Sequence, residues 1–120
     1  IPGLATRLPL IYDEGVNKGQ ITLNQFVALV ATNPARRYGL YPRKGSIAPG
    51  FDADIVLWDP RRSVTITNSM LHHAIDYTPY EGRSVTGWPV MTLSKGKVLM
   101  QDNVIMDGAP EGEFLNPRAL

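Results

Sequence analysis

Gly45-Ser46-Ile47-Ala48-Pro49-Gly50-Phe51-Asp52-Ala53-Asp54-Ile55-Val56-Leu57-Trp58 is the stretch on which the fold turns. Its second half, Ala53 to Trp58, is almost unbroken in apolar character after Asp54, the composition of a strand placed centrally and covered on both faces. Its first half is punctuated by Pro49-Gly50, which marks a turn, and Ser46 to Ala48 reads as a short strand leading into it. Downstream, Ser63 to Thr67, Val90 to Ser94 and Lys97 to Gln101 carry the same Val, Ile and Thr enrichment. Val104 to Met106 closes a hairpin through Asp102-Asn103, a pair that tolerates the left-handed conformation tight hairpin turns need. The stretch from Asn68 to Val85 is irregular. From Gly108 to Leu120 apolar residues are sparse, which predicts a tail that is extended or ordered only by a neighbour.

Upstream the period changes. Leu8, Ile11 and Tyr12 recur at helical spacing, and Gly15, Asn17 and Gly19 end that helix. Thr22-Leu23-Asn24-Gln25 fits a capping box, in which the Thr hydroxyl accepts an orphan amide proton and the Gln side chain reaches back to the cap residue. Leu23, Phe26, Val27, Val30 and Ala31 keep the helical period behind it. Asn33-Pro34 predicts a fresh cap and a short third helix, carrying Arg36 and Arg37 and stopping at Gly39. The fold class is therefore α+β, helices first and strands afterwards. That order without alternation is unusual for a free-standing domain and resembles two pieces of a larger one.

Composition bounds the function. The 120 residues suffice for one moderate core at 43% hydrophobic content. Twelve basic against eleven acidic residues give a net charge of +1 with no basic tract, which argues against a nucleic-acid partner. There are no cysteines, hence no disulfide framework and no thiolate metal site, and a reducing cytoplasm is the expected compartment. No apolar run approaches the roughly 20 residues of a membrane helix. The opening Ile1-Pro2-Gly3, without Met or a basic leader, reads as a cut from a longer chain.

No self-contained active site is legible. His72 and His73 are adjacent, so their side chains diverge and serve one metal ion poorly. Hydrogen-bonding histidines near an interface are the favoured reading, and a site completed by Asp76 and Glu81 the minor one. Asp52 and Asp54 fall on one side of an extended chain and could pair as acid and base. Hydrogen bonding to the amides of the turn after Pro49-Gly50 is the stronger reading, with Asp59-Pro60 doing the same at the far end. The glycines form no phosphate cradle, and no serine sits in a nucleophile elbow. Arg36-Arg37 and Arg61-Arg62 read as solvated faces, with an interface ion pair as the alternative. Tyr77, Tyr80, Trp88 and Pro89 fit core packing first and a subunit contact second.

These residues also carry a resemblance. Gly45 to Val56 resembles the Gly-x-x-x-x-Gly and Ala-Asp pattern of amidohydrolases. Gly19 to Val27, Thr32-Asn33-Pro34-Ala35-Arg36, Tyr38 to Gly45, Asp76-Tyr77-Thr78-Pro79-Tyr80-Glu81-Gly82 and Val85-Thr86-Gly87-Trp88-Pro89-Val90 are similar to the hydantoinase and dihydropyrimidinase branch of cyclic amidohydrolases. The resemblance covers essentially the whole chain. It implies the last helices of a metal-dependent (β/α)₈ TIM barrel over residues 1–44. The C-terminal strands of a small urease-like β-sandwich would follow over 45–107, with an irregular insertion at 68–85 and a tail at 108–120. It further implies two divalent metal ions, usually zinc, held by a His-x-His pair, two more histidines, a carboxylated lysine and an aspartate. The hydroxide they activate attacks the ring amide of a cyclic amide or ureide.

None of those ligands falls on this chain, so no catalytic, substrate-binding or metal residue is expected in it. The loop Ile1, Pro2 and Gly3 is its nearest approach to the site. The expected partners are the upstream barrel, the N-terminal sandwich strands, which would cover the apolar faces of residues 46 to 58 and 90 to 100, and further copies in a homotetramer. The segment alone should be inactive. Competing readings are a non-catalytic dihydropyrimidinase-like scaffold protein, a related allantoinase or dihydroorotase, and a free-standing binding module whose open sheet edges would promote aggregation. An upstream His-x-His pair and late aspartate would exclude the scaffold.

Overall fold

The computed structural model describes residues 2–108 and 112–117. A first helical segment comprises α1 (Arg7–Ile11) and a wider π turn over Tyr12–Asn17. A second comprises α2 (Leu23–Val27), a π turn over Ala28–Thr32 and α3 (Asn33–Arg37). The sheet follows as β1 (Ile55–Thr65), β2 (Ser84–Ser94), β3 (Lys97–Gln101) and β4 (Val104–Ile105), four antiparallel strands in sequential order.

Local sequence signals fix several boundaries. The Thr22 hydroxyl accepts the Gln25 amide at 3.1 Å and the Gln25 side chain accepts the Thr22 amide at 2.8 Å, both halves of the expected capping box. At Asn33-Pro34 the expectation of a fresh cap fails. Asn33 has helical dihedrals and the chain runs on from Val27 to Arg37. Proline inside a helix lacks an amide and crowds the carbonyl four residues back, and the widened π turn just before Pro34 is where that conflict is absorbed. The helix then ends at Gly39, whose φ of +66° suits a left-handed cap.

The strands depart from expectation in four places. β2 begins at Ser84, six residues before the expected Val90 and inside the stretch read as irregular. Ser46 to Ala48 is not a strand. Ala53 to Trp58 and Ser63 to Thr67 are parts of one strand, β1, which passes straight through Asp59-Pro60. Its register with β2 is irregular there: Asp59 pairs with Trp88 and Ser63 with Thr86, so Pro60, Arg61 and Arg62 together face Gly87. Nor is β1 central. It lies at the edge of the four-stranded sheet, with Val56 and Leu57 44% and 43% exposed. An apolar run does not reveal which chain covers it, and an edge position leaves the missing amide of Pro60 harmless. The hairpin at Asp102-Asn103 forms as its chemistry dictates, with φ of +48° and +65°.

Two apolar centres hold the layers together. Ile66, Val85 and Trp88 are buried, with Leu10, Val64, Met70, Leu71 and Tyr80 packed around them. The second centre is aromatic. Tyr12 meets Phe26 edge-on at 5.4 Å between ring centroids and Trp58 at 5.1 Å, joining both helical segments to β1. Gly87 lets β2 pass beneath: a Cβ there would stand 2.4 Å from Tyr12 Cδ1, and its φ is +103°.

Candidate functional site

The opening segment, expected to lie nearest a catalytic centre, is built into the first turn of the helical layer. Pro2 is buried, and the Gly3 carbonyl accepts the Arg7 amide at 3.0 Å and the Thr6 hydroxyl at 3.3 Å. Ile1 lies outside the described residues.

The two histidines diverge, as adjacency predicts. His72 Nε2 lies 2.9 Å from the Asn103 carbonyl, which requires it to donate. His73 Nε2 lies 2.8 Å from Asn68 Oδ1. Asn68 also receives Glu81, whose carboxylate accepts the Asn68 amide at 2.6 Å, and Asn103 donates to the Met70 carbonyl at 2.9 Å. Histidines and Glu81 thus fasten the irregular 68–82 stretch to its own ends and to the β3–β4 turn. Among the described residues no group of three His, Asp or Glu side chains is arranged to hold a metal ion. The dinuclear metal centre implied by the resemblance finds no fitting group of ligands among the described residues.

Asp52 and Asp54 do come together, chiefly on cations rather than on the amides of the Pro49-Gly50 turn as their sequence position suggested. Asp52 pairs with Lys44 at 2.8 Å and with Arg43 at 2.9 Å. Asp54 pairs with Lys44 through one oxygen and accepts the Lys95 amide through the other at 2.9 Å. Lys44 beside both carboxylates is the main cause that holds Asp52 and Asp54 below the ordinary aspartate value, aided by Arg43 at Asp52 and by the Lys95 amide at Asp54. Burial works against the Lys44 ammonium, and the two carboxylates outweigh it and raise its pKa. Carboxylates kept charged in this way are poor proton donors near neutrality, so the cluster is a structural clasp and not an acid and base pair.

The clasp extends to the tail. Glu113, in the stretch 112–117, pairs with Arg43 and lies 3.6 Å from Lys95 Nζ. Sequence reasoning missed both Lys44 and Glu113. The available signal was a doublet of bases just before Gly45 facing two aspartates eight to ten positions on. Another missed contact is Asp13, whose carboxylate accepts the Thr86 amide at 3.1 Å. Of the arginine doublets, Arg36 lies 4.8 Å over the Tyr41 ring and Arg62 pairs with Asp102 at 3.1 Å. The aromatic group divides, with Trp88 in the core and Tyr77 exposed.

What this arrangement presents outward is apolar surface. Leu23, Val27 and Leu29 on the second helical segment, Ile47 before the sheet, and Val56 and Leu57 on β1 are all exposed.

Residues 3–99 match the amidohydrolase family. Over 117 residues the chain is 47% identical to a D-hydantoinase of Ralstonia pickettii and 45% identical to one of Rhizobium radiobacter, in each case covering 98% of this chain and 25% of the relative. A solved structure of D-hydantoinase superposes with a TM-score of 0.84 at 49% identity, covering 87% of this chain and 22% of that one. The chain spans about a quarter of the length of the curated relatives it matches. With its fold and its sequence both matching along most of its length, the chain belongs to the amidohydrolase family, on the side of the hydantoinases and dihydropyrimidinases.

Proposed function

We propose that these residues are the C-terminal part of a cyclic-amide hydrolase that opens hydantoin or dihydropyrimidine rings, and that their role in it is structural and oligomerising. In this reading residues 1–44 are the last helices of the barrel, 45–107 the C-terminal share of the β-sandwich and 108–120 the tail. The carrying observation is the similarity to D-hydantoinases over nearly the whole chain. It is supported by the exposed apolar residues on the helices and β1, which suit cover by a barrel, by N-terminal strands and by further copies in a homotetramer. Two divalent metal ions, zinc by the resemblance, would be held by residues outside this chain and would supply the hydroxide for ring opening. A cytoplasmic location accords with the absence of cysteine and with the absence of any helix, among the described residues, long and apolar enough to cross a membrane.

The test uses the full-length protein and the 120-residue chain side by side, with hydantoin and dihydrouracil as substrates. Ring opening by the full-length protein, abolished by chelation and restored by zinc, with none from the short chain, is the expected result. A full-length protein that holds metal but opens neither ring would overturn the hydrolase reading. Turnover by the short chain would overturn the structural role assigned to it.

A further inference from the structure

We infer that Glu113 is an electrostatic latch that fastens the segment 112–117 across the junction between the 43–54 loop and the β2–β3 turn, releasing it as ionic strength rises. The junction itself is built in two tiers. The inner tier is Lys44 with Asp52 and Asp54: Lys44, Asp52 and Asp54 side chains are 22%, 23% and 36% exposed, and a backbone amide, that of Lys95, completes the Asp54 contacts. The outer tier is Arg43 and Lys95 with Glu113, where Arg43 and Glu113 are 48% and 49% exposed. Arg43 belongs to both tiers, because its Nε holds Asp52 while its Nη2 holds Glu113. One guanidinium thus couples the tail to the loop that precedes β1.

Screening separates the tiers. Mobile ions reach exposed pairs readily, and the Debye length shrinks from about 10 Å at 0.1 M salt to about 3 Å at 1 M. Less exposed pairs, and those completed by backbone amides, are screened much less. The outer tier therefore opens first, and the tail leaves while the loop stays clasped. Within segment 112–117, Gly112, Glu113, Phe114, Asn116 and Pro117 are exposed, Phe114 to 86%. The latch accordingly decides whether Phe114 is presented at a fixed place on the surface or swept through solvent.

Hydrogen exchange of the full-length protein, read peptide by peptide at about 0.05 M and about 1 M sodium chloride, tests this. The expected result is exchange in 112–117 that quickens several-fold at high salt while 43–54 is unchanged. In Glu113→Gln the tail should exchange fast at both salt concentrations, and in Asp76→Asn, which removes one charge from the 71–82 stretch, it should behave as in the parent. Because Glu113 is exposed, its substitution leaves the apolar centres intact. Exchange in 112–117 that ignores salt, or a Glu113→Gln tail as protected as the parent, would overturn the latch. These outcomes do not depend on whether the protein hydrolyses cyclic amides.

Discussion

Asp13 in the first helical segment and Thr86 in β2, 73 positions apart, are joined by a hydrogen bond of 3.1 Å from the Thr86 amide to the Asp13 carboxylate. The same carboxylate oxygen accepts Asn17 Nδ2 at 3.0 Å, and Asn17 in turn donates to the Thr86 carbonyl at 2.7 Å. A helix end thus satisfies both backbone groups of one strand residue. Asp13→Ala should weaken this junction by about 1.5–3 kcal/mol, the value of a hydrogen bond to a charged acceptor. Faster exchange of the Thr86 amide, roughly ten-fold or more, is the readout, and an unchanged rate would remove the bond from the account.

The capping box makes a second, independent case. Thr22→Ala removes the acceptor for the Gln25 amide and should cost about 1 kcal/mol at the start of the second helical segment. Thr22→Ser, which keeps the hydroxyl, should recover most of it. Circular dichroism and amide exchange at Gln25 would show both effects, and equal behaviour of the two variants would count against the cap.

Gly87 is the least replaceable residue in β2. Gly87→Ala demands a left-handed backbone from an L side chain and sets its Cβ against the Tyr12 ring, so destabilisation of more than about 2 kcal/mol is expected. Gly112→Ala, where an added Cβ meets nothing within 4 Å, should be close to neutral by comparison. Urea denaturation of the two variants gives the contrast directly.

The clasp gives stability a definite pH profile. Asp52 and Asp54 titrate below the ordinary value of 3.8 when folded, chiefly because of Lys44. Their contribution is complete above that value and is lost as pH falls through the lower folded one. Lys44 titrates above its ordinary value of 10.5, with the carboxylates overcoming its burial. Its contribution is present below 10.5 and is lost as pH rises through the higher folded value. Lys44→Met should flatten both flanks of a stability curve against pH; a variant with the parent's acid flank would mean that other carboxylates set it.

What could be read from the sequence was what neighbours in sequence decide. The Thr22 capping box, the strand at Lys97–Gln101 and the Asp102-Asn103 turn depend on four or five adjacent residues, and all three form as expected. The misreadings arise where distant residues arbitrate. Asn33-Pro34 looked like a boundary because the preceding π turn that accommodates the proline leaves no local mark. At Asp59-Pro60 the expected local hydrogen bond forms, the Asp59 carboxylate accepting the Arg61 amide at 2.9 Å, but the strand does not end there, because an irregular edge opposite Gly87 admits the proline. Asp52 and Asp54 were seen as a pair, but their cations were not, since Lys44 and Arg43 reach them only after the loop has folded back. Of the tail expected over 108–120, Gly108 is a bend and 112–117 carries no regular element, while 109–111 and 118–120 lie outside the described residues.

The chain has two tryptophans, and the fold places them in different company: Trp58 against Tyr12 and Phe26, Trp88 against Ile66 and Val85. The first reports whether the helices are seated on the sheet, the second whether the sheet has closed over its own loop. Replacing either with phenylalanine would leave a single emitter for each event. The two steps of assembly could then be timed separately by their own light, with no dye attached.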